Sequence, residues 1–250
     1  EYPFVDGQSI FLNQDELEID LSTHSNGIAA DSISFGFTGE TKLIKKLQKL
    51  KDIKWELIFY DYSGSSWVDQ MYPKDARRFI ALMMNFAYMW VSDDYQKEFL
   101  NEYLTTHNGE TVLTTEEKQQ AITDLMNKDF YECGKVSSAA GLGGDTTIGF
   151  AEYILRDIFY YDDDTADISS HELMHTIGFG HDSNLTYPLT VDGVETGINP
   201  VTRRISKKFF DENRWIVTPE NYYYKSDIEQ EAPSEENTKT LQSQRKVISL

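Results

Sequence analysis

The sequence predicts a mixed α/β (α+β) fold, in which a twisted mixed sheet packs against long helices and a small irregular C-terminal subdomain follows. Segments typical of strands and of helices alternate through the first two thirds of the chain. The 250 residues are 40% hydrophobic and 13% aromatic, which provides enough apolar surface for a large core. Beyond Pro188 the patterns predict only short strands and turns.

The individual elements follow from the periodicity of the apolar residues. Alternating or β-forming residues predict strands at residues 32–37, 55–62 and 146–153. Apolar residues three and four apart predict helices at residues 41–51, 74–104, 116–127 and 168–177. Thr115 is a candidate cap for the third of these helices, and Asp167 or a nearby serine for the fourth. The glycines at residues 141–144 predict a flexible rim of a cleft.

The charge balance narrows the possible partners. Lys and Arg total 23 against 42 Asp and Glu, so the formal net charge is −19. Nucleic acids and anionic membrane surfaces are bound mainly through Lys and Arg, so both are disfavoured as partners. The longest apolar run, residues 79–91, is too short to span a membrane. A soluble, acidic chain of this composition suggests a secreted or cell-surface protein, whereas nothing in the sequence indicates its oligomeric state.

One motif carries the chemistry, and it lies in the fourth predicted helix. His171 and His175 are four residues apart, so their imidazoles project from one helix face at the separation that binds one ion. Gly178 can end the helix in a left-handed conformation, after which His181 can return to the same ion. Three protein ligands leave the fourth position open, as in catalytic rather than structural zinc sites.

Glu172 has a different position from the histidines. It follows the first ligand and is rotated by about 100° around the helix axis, so it misses the metal but can reach a water beside it. That is the position of a general base in metal-assisted hydrolysis. The five fixed positions arise by chance in about one of 10⁵ chains of this length, which favours a true metal site.

These residues resemble the zinc signature H-E-x-x-H-x-x-G-x-x-H of the metzincin metallopeptidases. The helix looks most like that of astacins, and the wider stretch at residues 141–188 resembles secreted metzincin-like peptidases of gut bacteria. The resemblance implies a zincin-type fold, Zn²⁺ on the three histidines, Glu172 as the base and a protein or peptide substrate. It also implies that the strand at residues 146–153 forms the rim of the cleft and pairs with the substrate.

The segment after the third histidine departs from the family pattern in one respect. No methionine follows Met174, and Leu185 stands at the methionine position of the family's S-x-M-x-Y turn. A second register would place Thr186 there, but leucine is the closer match in size and polarity. Asp182 is similar to the adamalysin pattern, and the resemblance implies that it is anchored inside the lower subdomain. Tyr187 either stabilises the oxyanion through its phenol or packs as a turn residue.

Two further groups of potential ligands need separate explanations. Five aspartates crowd the approach to the metal-binding helix, where they either cap the helix and face solvent or bind Ca²⁺: Asp157, Asp162, Asp163, Asp164 and Asp167. The single cysteine, Cys133, excludes an internal disulfide and a cysteine-based zinc site. With no motif around it, we expect a buried free thiol.

The chain therefore divides into four predicted parts: a lead-in segment at residues 1–30, an upper catalytic subdomain at 31–181, a lower subdomain at 182–224 and a mobile tail at 225–250. The predicted activity is that of a zinc-dependent endopeptidase. Two alternatives are a zinc-retaining, non-catalytic binding or adhesion protein, which the replacement at Leu185 keeps open, and a zinc amidase, which a small closed pocket would favour.

Overall fold

The computed structural model describes residues 39–106, 110–158 and 162–228, and the backbone of two short strands near the N-terminus. The chain divides into two compact units, Glu1–Ile53 and Lys54–Leu250. In the first unit, strands β1 (Phe4–Val5) and β2 (Gln8–Ser9) pair antiparallel, and helix α1 spans Lys42–Gln48. The strand predicted at residues 32–37 and most of the predicted lead-in segment lie outside the described residues.

The second unit is built on a four-stranded mixed sheet. Its strands are β3 (Glu56–Phe59), β4 (Phe130–Val136), β5 (Gly141–Gly144) and β6 (Thr147–Ala151). The spatial order is β3-β4-β6-β5; β3, β4 and β6 run parallel, whereas β5 runs antiparallel to β6. This sheet, together with the helices packed on it, confirms the predicted mixed α/β (α+β) class.

Six helices of the second unit lie within the described residues: α2 (Pro73–Trp90), α3 (Asp93–Asn101), α4 (Thr115–Met126), α5 (Glu152–Asp157), α6 (Asp163–Thr176) and α7 (Ile198–Asp211). Helix α2 packs on the sheet through Phe79, whose ring centroid lies 5.8 Å from that of Phe59 and 5.1 Å from that of Phe150. Helix α6 packs between the sheet and α7, in contact with β5 and β6. The residues that carry the metal motif therefore lie on an element held from two sides.

Three helix boundaries differ from the prediction, each because a side chain caps the helix. The single helix predicted at residues 74–104 is two helices, because the Ser92 hydroxyl accepts a hydrogen bond from the Tyr95 amide (3.2 Å) and starts α3. Thr114, not Thr115, caps α4. Helix α6 begins at Asp163 rather than at residue 168, because the carboxylate of Asp162 accepts from the Asp164 amide (2.7 Å).

The prediction of only short strands and turns beyond Pro188 is wrong. A hairpin of β7 (Leu189–Val191) and β8 (Val194–Thr196) is followed by the 14-residue helix α7. Pro200 interrupts the apolar pattern of this segment, but it lies in the first helical turn, where proline is tolerated because the amide there needs no partner. Helix α7 buries its apolar face against α6 and α3, so this part of the chain is regular rather than irregular.

The first residues of the predicted mobile tail, at 225–228, belong to the folded unit. Lys225–Asp227 form a 3₁₀ turn, and Asp227 is buried; the rest of the predicted tail lies outside the described residues. Cys133 is a buried free thiol, as predicted. Among the described residues, no helix is both long and apolar enough to cross a membrane.

Candidate metal centre

The structure brings the three predicted histidine ligands together. His171 and His175 project from one face of α6, with their Nε2 atoms 2.9 Å apart. The ring centroid of His181 lies 5.3 Å from that of His171 and 4.7 Å from that of His175. One nitrogen from each ring lies within 4.8 Å of the other two, and among the described residues this is the one group of three or more potential ligands so placed.

The end of α6 explains how His181 reaches the other two rings. Gly178 has a φ of +93°, in the left-handed region that favours glycine, and it follows the last helical turn directly. The chain then reverses, and the Phe179 amide donates to the Met174 carbonyl (3.2 Å). His181 follows two residues later on the same side as the helical pair. The role that the sequence predicts for Gly178 is therefore confirmed.

Two main-chain carbonyls orient the helical histidines. Nδ1 of His171 lies 2.8 Å from the carbonyl oxygen of Thr186, and Nδ1 of His175 lies 2.6 Å from that of Phe179. A ring that donates its Nδ1 proton to a carbonyl presents an unprotonated Nε2, which is the form that binds a metal. The sequence does not reveal these partners, because every residue has a carbonyl and only the fold brings one to the ring.

The electrostatics of the histidines also suit a metal site. Burial lowers the pKa of His171 to about 4 and also lowers the pKa of His175, while the carbonyl contacts oppose this effect only in part. Both rings are therefore neutral near neutral pH. Three imidazoles form a donor set that fits zinc and several other divalent transition metals. The Nε2 separation of 2.9 Å is a few tenths of an ångström below the roughly 3.3 Å expected for two tetrahedral ligands.

Glu172 directly follows His171 in the sequence but does not belong to the group of potential ligands. Its side chain is turned toward the inner face of β5 and is only 5% exposed. Burial raises the pKa of Glu172 to about 8. A cation bound nearby would oppose this rise, because positive charge favours the carboxylate form.

The strand at the edge of the sheet is not the one predicted from the sequence. Strand β6 lies between β4 and β5, so both of its edges are occupied and it cannot pair with a substrate. Among the described residues, the sheet edge next to β6 is formed by β5 at Gly141–Gly144, the segment predicted to be a flexible rim. This strand has no bulky side chain except Leu142, so its β character comes from pairing with β6 rather than from its residues.

Tyr187 is brought to the histidines as well. Its ring centroid lies 4.7 Å from that of His171 and 4.9 Å from that of His181, and the residue is 47% exposed. The phenol thus lies at the solvent-exposed side of the group of three histidines. This placement suits either of the two roles considered above for Tyr187.

The segment between His181 and Tyr187 forms a buried platform. Leu185 and Thr186 are both fully buried, so the structure agrees with an apolar role for Leu185 at this position. Asp182, by contrast, is exposed, and the expectation that it anchors the lower subdomain is wrong. The anchor is the neighbouring Asn184, whose Oδ1 accepts from the amide of Thr105 (2.8 Å) and whose Nδ2 donates to the carbonyl of Tyr103 (2.8 Å).

The five aspartates near α6 do not form a group of three or more potential ligands within the described residues. Asp157 pairs with Arg156 at 2.8 Å, and Asp167 lies 3.2 Å from Nε of Arg203 on α7. Asp162 caps the helix, as described above. The predicted capping role therefore belongs to Asp162, and the prediction of Asp167 as the cap is wrong because that residue lies inside α6. Asp157 and Asp167 pair with arginines rather than face solvent, and these contacts favour the explanation without calcium.

Comparisons of the chain with protein-family models, with curated proteins and with solved structures each found no match. The function must therefore be inferred from the residues of the site.

Proposed function

We propose that the protein is a zinc-dependent endopeptidase of the metzincin type. The observation that carries this proposal is the group of three histidines, next to which in the sequence stands a buried glutamate that does not belong to the group. His171, His175 and His181 would hold the ion, and Glu172 has no role in a purely structural metal site. When bound, zinc would supply Lewis-acid polarisation and make a neighbouring water more acidic.

The chain's own groups would carry out the proton transfers. Glu172 would take a proton from the attacking water and deliver it to the nitrogen of the leaving amine. Its buried position suits this role, because a carboxylate shielded from bulk water exchanges protons mainly with the groups held beside it. Tyr187 would donate its phenolic hydrogen to the developing oxyanion.

The edge of the sheet supports a polypeptide as the substrate. The side of β5 that faces away from β6 presents main-chain amides and carbonyls, with which an extended peptide can pair as an additional strand. Strand pairing binds the backbone rather than particular side chains, so it suits a peptide better than a small amide. For this reason we favour an endopeptidase over an amidase.

The first experiment is the digestion of a diverse peptide mixture, read by mass spectrometry. The wild type is compared with Glu172→Gln and with Glu116→Gln, a matched change at an exposed position on α4. We expect Glu172→Gln to retain zinc and to lose at least about 10³-fold in cleavage rate, because the amide cannot accept the proton. Glu116→Gln should cleave at the wild-type rate.

The outcomes separate the candidate functions. Equal cleavage by the wild type and Glu172→Gln would show that the mechanism is wrong. Absence of cleavage in all three proteins, with zinc present in each, would favour the binding or adhesion protein. Hydrolysis of small acylated amines without cleavage of peptides would favour the amidase.

A further inference from the structure

The inner face of β5 has no side chains where Glu172 packs against it. A Cβ atom on Gly141 would lie 2.5 Å from Cγ and 2.7 Å from Oε1 of Glu172. A Cβ on Gly143 would overlap the main-chain oxygen of Glu172 and lie 2.9 Å from its Oε2. The two glycines face the same side of the strand, because side chains alternate along it. Each carboxylate oxygen therefore lies against one of these two glycines.

Backbone conformation does not account for glycine at these positions. Neither Gly141 nor Gly143 has a positive φ, so other residues could adopt the same backbone. Glycine inside a strand is unfavourable, since it has no side chain to pack and loses more entropy on folding. The reason must therefore lie in the space above the strand, and that space is filled by Glu172.

We propose that Gly141 and Gly143 are positioning residues that form a seat for the carboxylate of Glu172. A side chain at position 141 would push the carboxylate aside, and one at position 143 would push helix α6 away from β5. The strand that would bind the substrate thus also sets the position of the base. The catalytic consequence rests on the proposed function, whereas the seat itself does not.

A thermal double-mutant cycle tests the seat without any assay of activity. Because the atoms that meet a Cβ at position 141 belong to the Glu172 side chain, Gly141→Ala should lower the unfolding midpoint by roughly 2 to 10 °C in the wild type. In a Glu172→Ala background, Gly141→Ala should leave the unfolding midpoint almost unchanged. Equal losses in the two backgrounds would overturn the proposal. The cycle is run once with added zinc and once with a chelator. Under both conditions we expect Gly141→Ala to lower the midpoint more in the wild type than in the Glu172→Ala background.

The neighbouring glycines provide matched controls within the same strand. A Cβ on Gly144 meets nothing within 4 Å, so Gly144→Ala should leave the midpoint unchanged in both backgrounds. Gly143→Ala should remain costly in both, since its Cβ meets the main chain of residue 172 and not only the side chain. If Gly144→Ala cost as much as Gly141→Ala, the strand would simply be intolerant of side chains and the seat would be wrong.

The catalytic consequence has a separate measurement. Where the wild type cleaves peptides, Gly141→Ala should lower kcat by about 10- to 100-fold with a much smaller change in KM, because a small displacement of the base affects the chemical step. Zinc content should be unchanged. A wild type without activity would overturn the proposed function but leave the thermal cycle informative. A Gly141→Ala enzyme with wild-type kcat would show that the seat has no catalytic role.

Discussion

At the scale of single residues, the site depends on how each ring is oriented. The hydrogen bonds from Nδ1 of His171 and His175 to carbonyl oxygens set the tautomer of both rings. The Tyr187 ring packs against those of His171 and His181 at interplanar angles of 64° and 57°. The residue remains about half exposed, so a substrate could reach its hydroxyl group. The ring contacts and the hydroxyl can be separated by a single substitution.

Tyr187→Phe retains the ring and removes the hydroxyl group. If the phenol stabilises the oxyanion, kcat should fall by about a hundredfold, because the loss of one such donor has an effect of that order. Zinc content and thermal stability should stay at the wild-type values, since the ring contacts with the histidines remain. Steady-state kinetics on a peptide from the digestion experiment provide the measurement.

The control for this change is Tyr223→Phe, at a tyrosine that is 69% exposed and lies outside the histidine group. It should not affect kcat. A Tyr187→Phe enzyme with unchanged kcat would assign Tyr187 to packing in the turn, which is the other role considered above.

At the scale of elements, the segment at residues 183–186 connects the group of three histidines to the rest of the second unit. Asn184 binds the main chain at Thr105 and Tyr103, and its own carbonyl accepts from the Ile198 amide at the start of α7 (2.9 Å). Gly197 permits this approach, because its φ is +124° and a Cβ there would overlap the Asn184 oxygen. Two residues further on, the Thr186 carbonyl reaches His171.

Asn184→Ala should therefore affect both stability and metal binding. The change leaves the buried amide of Thr105 and the carbonyl of Tyr103 without their partner, which should cost about 2 to 4 kcal/mol in the free energy of unfolding. It should also weaken zinc binding by about tenfold or more, because the carbonyl that orients His171 is no longer held firmly. Urea denaturation and zinc titration provide the two measurements.

Asn101→Ala serves as the control for Asn184→Ala. The exposed Asn101 side chain donates to the carbonyl of Lys97 on the surface of α3 (2.9 Å), where water can replace it. We expect a loss below about 1 kcal/mol and no change in zinc affinity. If Asn184→Ala were destabilised but bound zinc normally, the platform would support the fold alone.

The elements also show which parts of the site the sequence can predict. The histidine spacing on α6 is local information, so the grouping of the three histidines and the glycine that ends the helix could be predicted from it. The platform is different, because Asn184 is anchored by residues about 80 positions away in the sequence. The strand at Gly141–Gly144, predicted only as a flexible rim, was missed because glycines have low β propensity and its β structure depends on pairing with β6.

The missed helix α7 has a similar explanation. Its apolar residues have helical spacing, but Pro200 suggests a break unless the helix is known to start only two residues earlier. That start depends on the contact between Gly197 and Asn184, which is a tertiary feature. The errors at β5 and at α7 therefore have the same cause. In each element the secondary-structure preference of the residues is weaker than the tertiary contacts that stabilise it.

At the scale of the whole molecule, acidic groups outnumber basic ones by 42 to 23, and two neighbouring arginines of α2 both bind one buried acidic residue, Asp227. Arg77 donates to both carboxylate oxygens of Asp227 (2.7 and 2.8 Å), and Arg78 donates to its main-chain oxygen (2.9 Å). The Tyr222 hydroxyl also donates to this carboxylate (2.9 Å). These bonds attach the last described turn of the chain to α2.

Asp227→Asn should reduce stability in a way that depends on pH. The hydrogen bonds from Arg77 and Tyr222 hold the pKa of Asp227 below its ordinary value of 3.8, although burial opposes them. A carboxyl group with a lowered pKa in the folded state stabilises the fold above its unfolded pKa and loses that contribution as the pH falls through the folded value. We expect a loss of about 2 to 3 kcal/mol at pH 7 that shrinks progressively below pH 4.

The comparison that checks this prediction is Asp211→Asn, which removes a carboxylate from an exposed pair with Lys207 on α7 (2.8 Å). Exposed pairs of this kind contribute at most about 0.5 kcal/mol, so this variant should unfold like the wild type at each pH. Urea denaturation of the three proteins between pH 2.5 and 7 (roughly the range over which an aspartate titrates) separates the two positions. If the loss of unfolding free energy in Asp227→Asn stayed constant down to the lowest pH, the charge of the Asp227 carboxylate would not contribute to stability. The turn at residues 225–227 would then be held by packing around Asp227 rather than by the ion pair with Arg77.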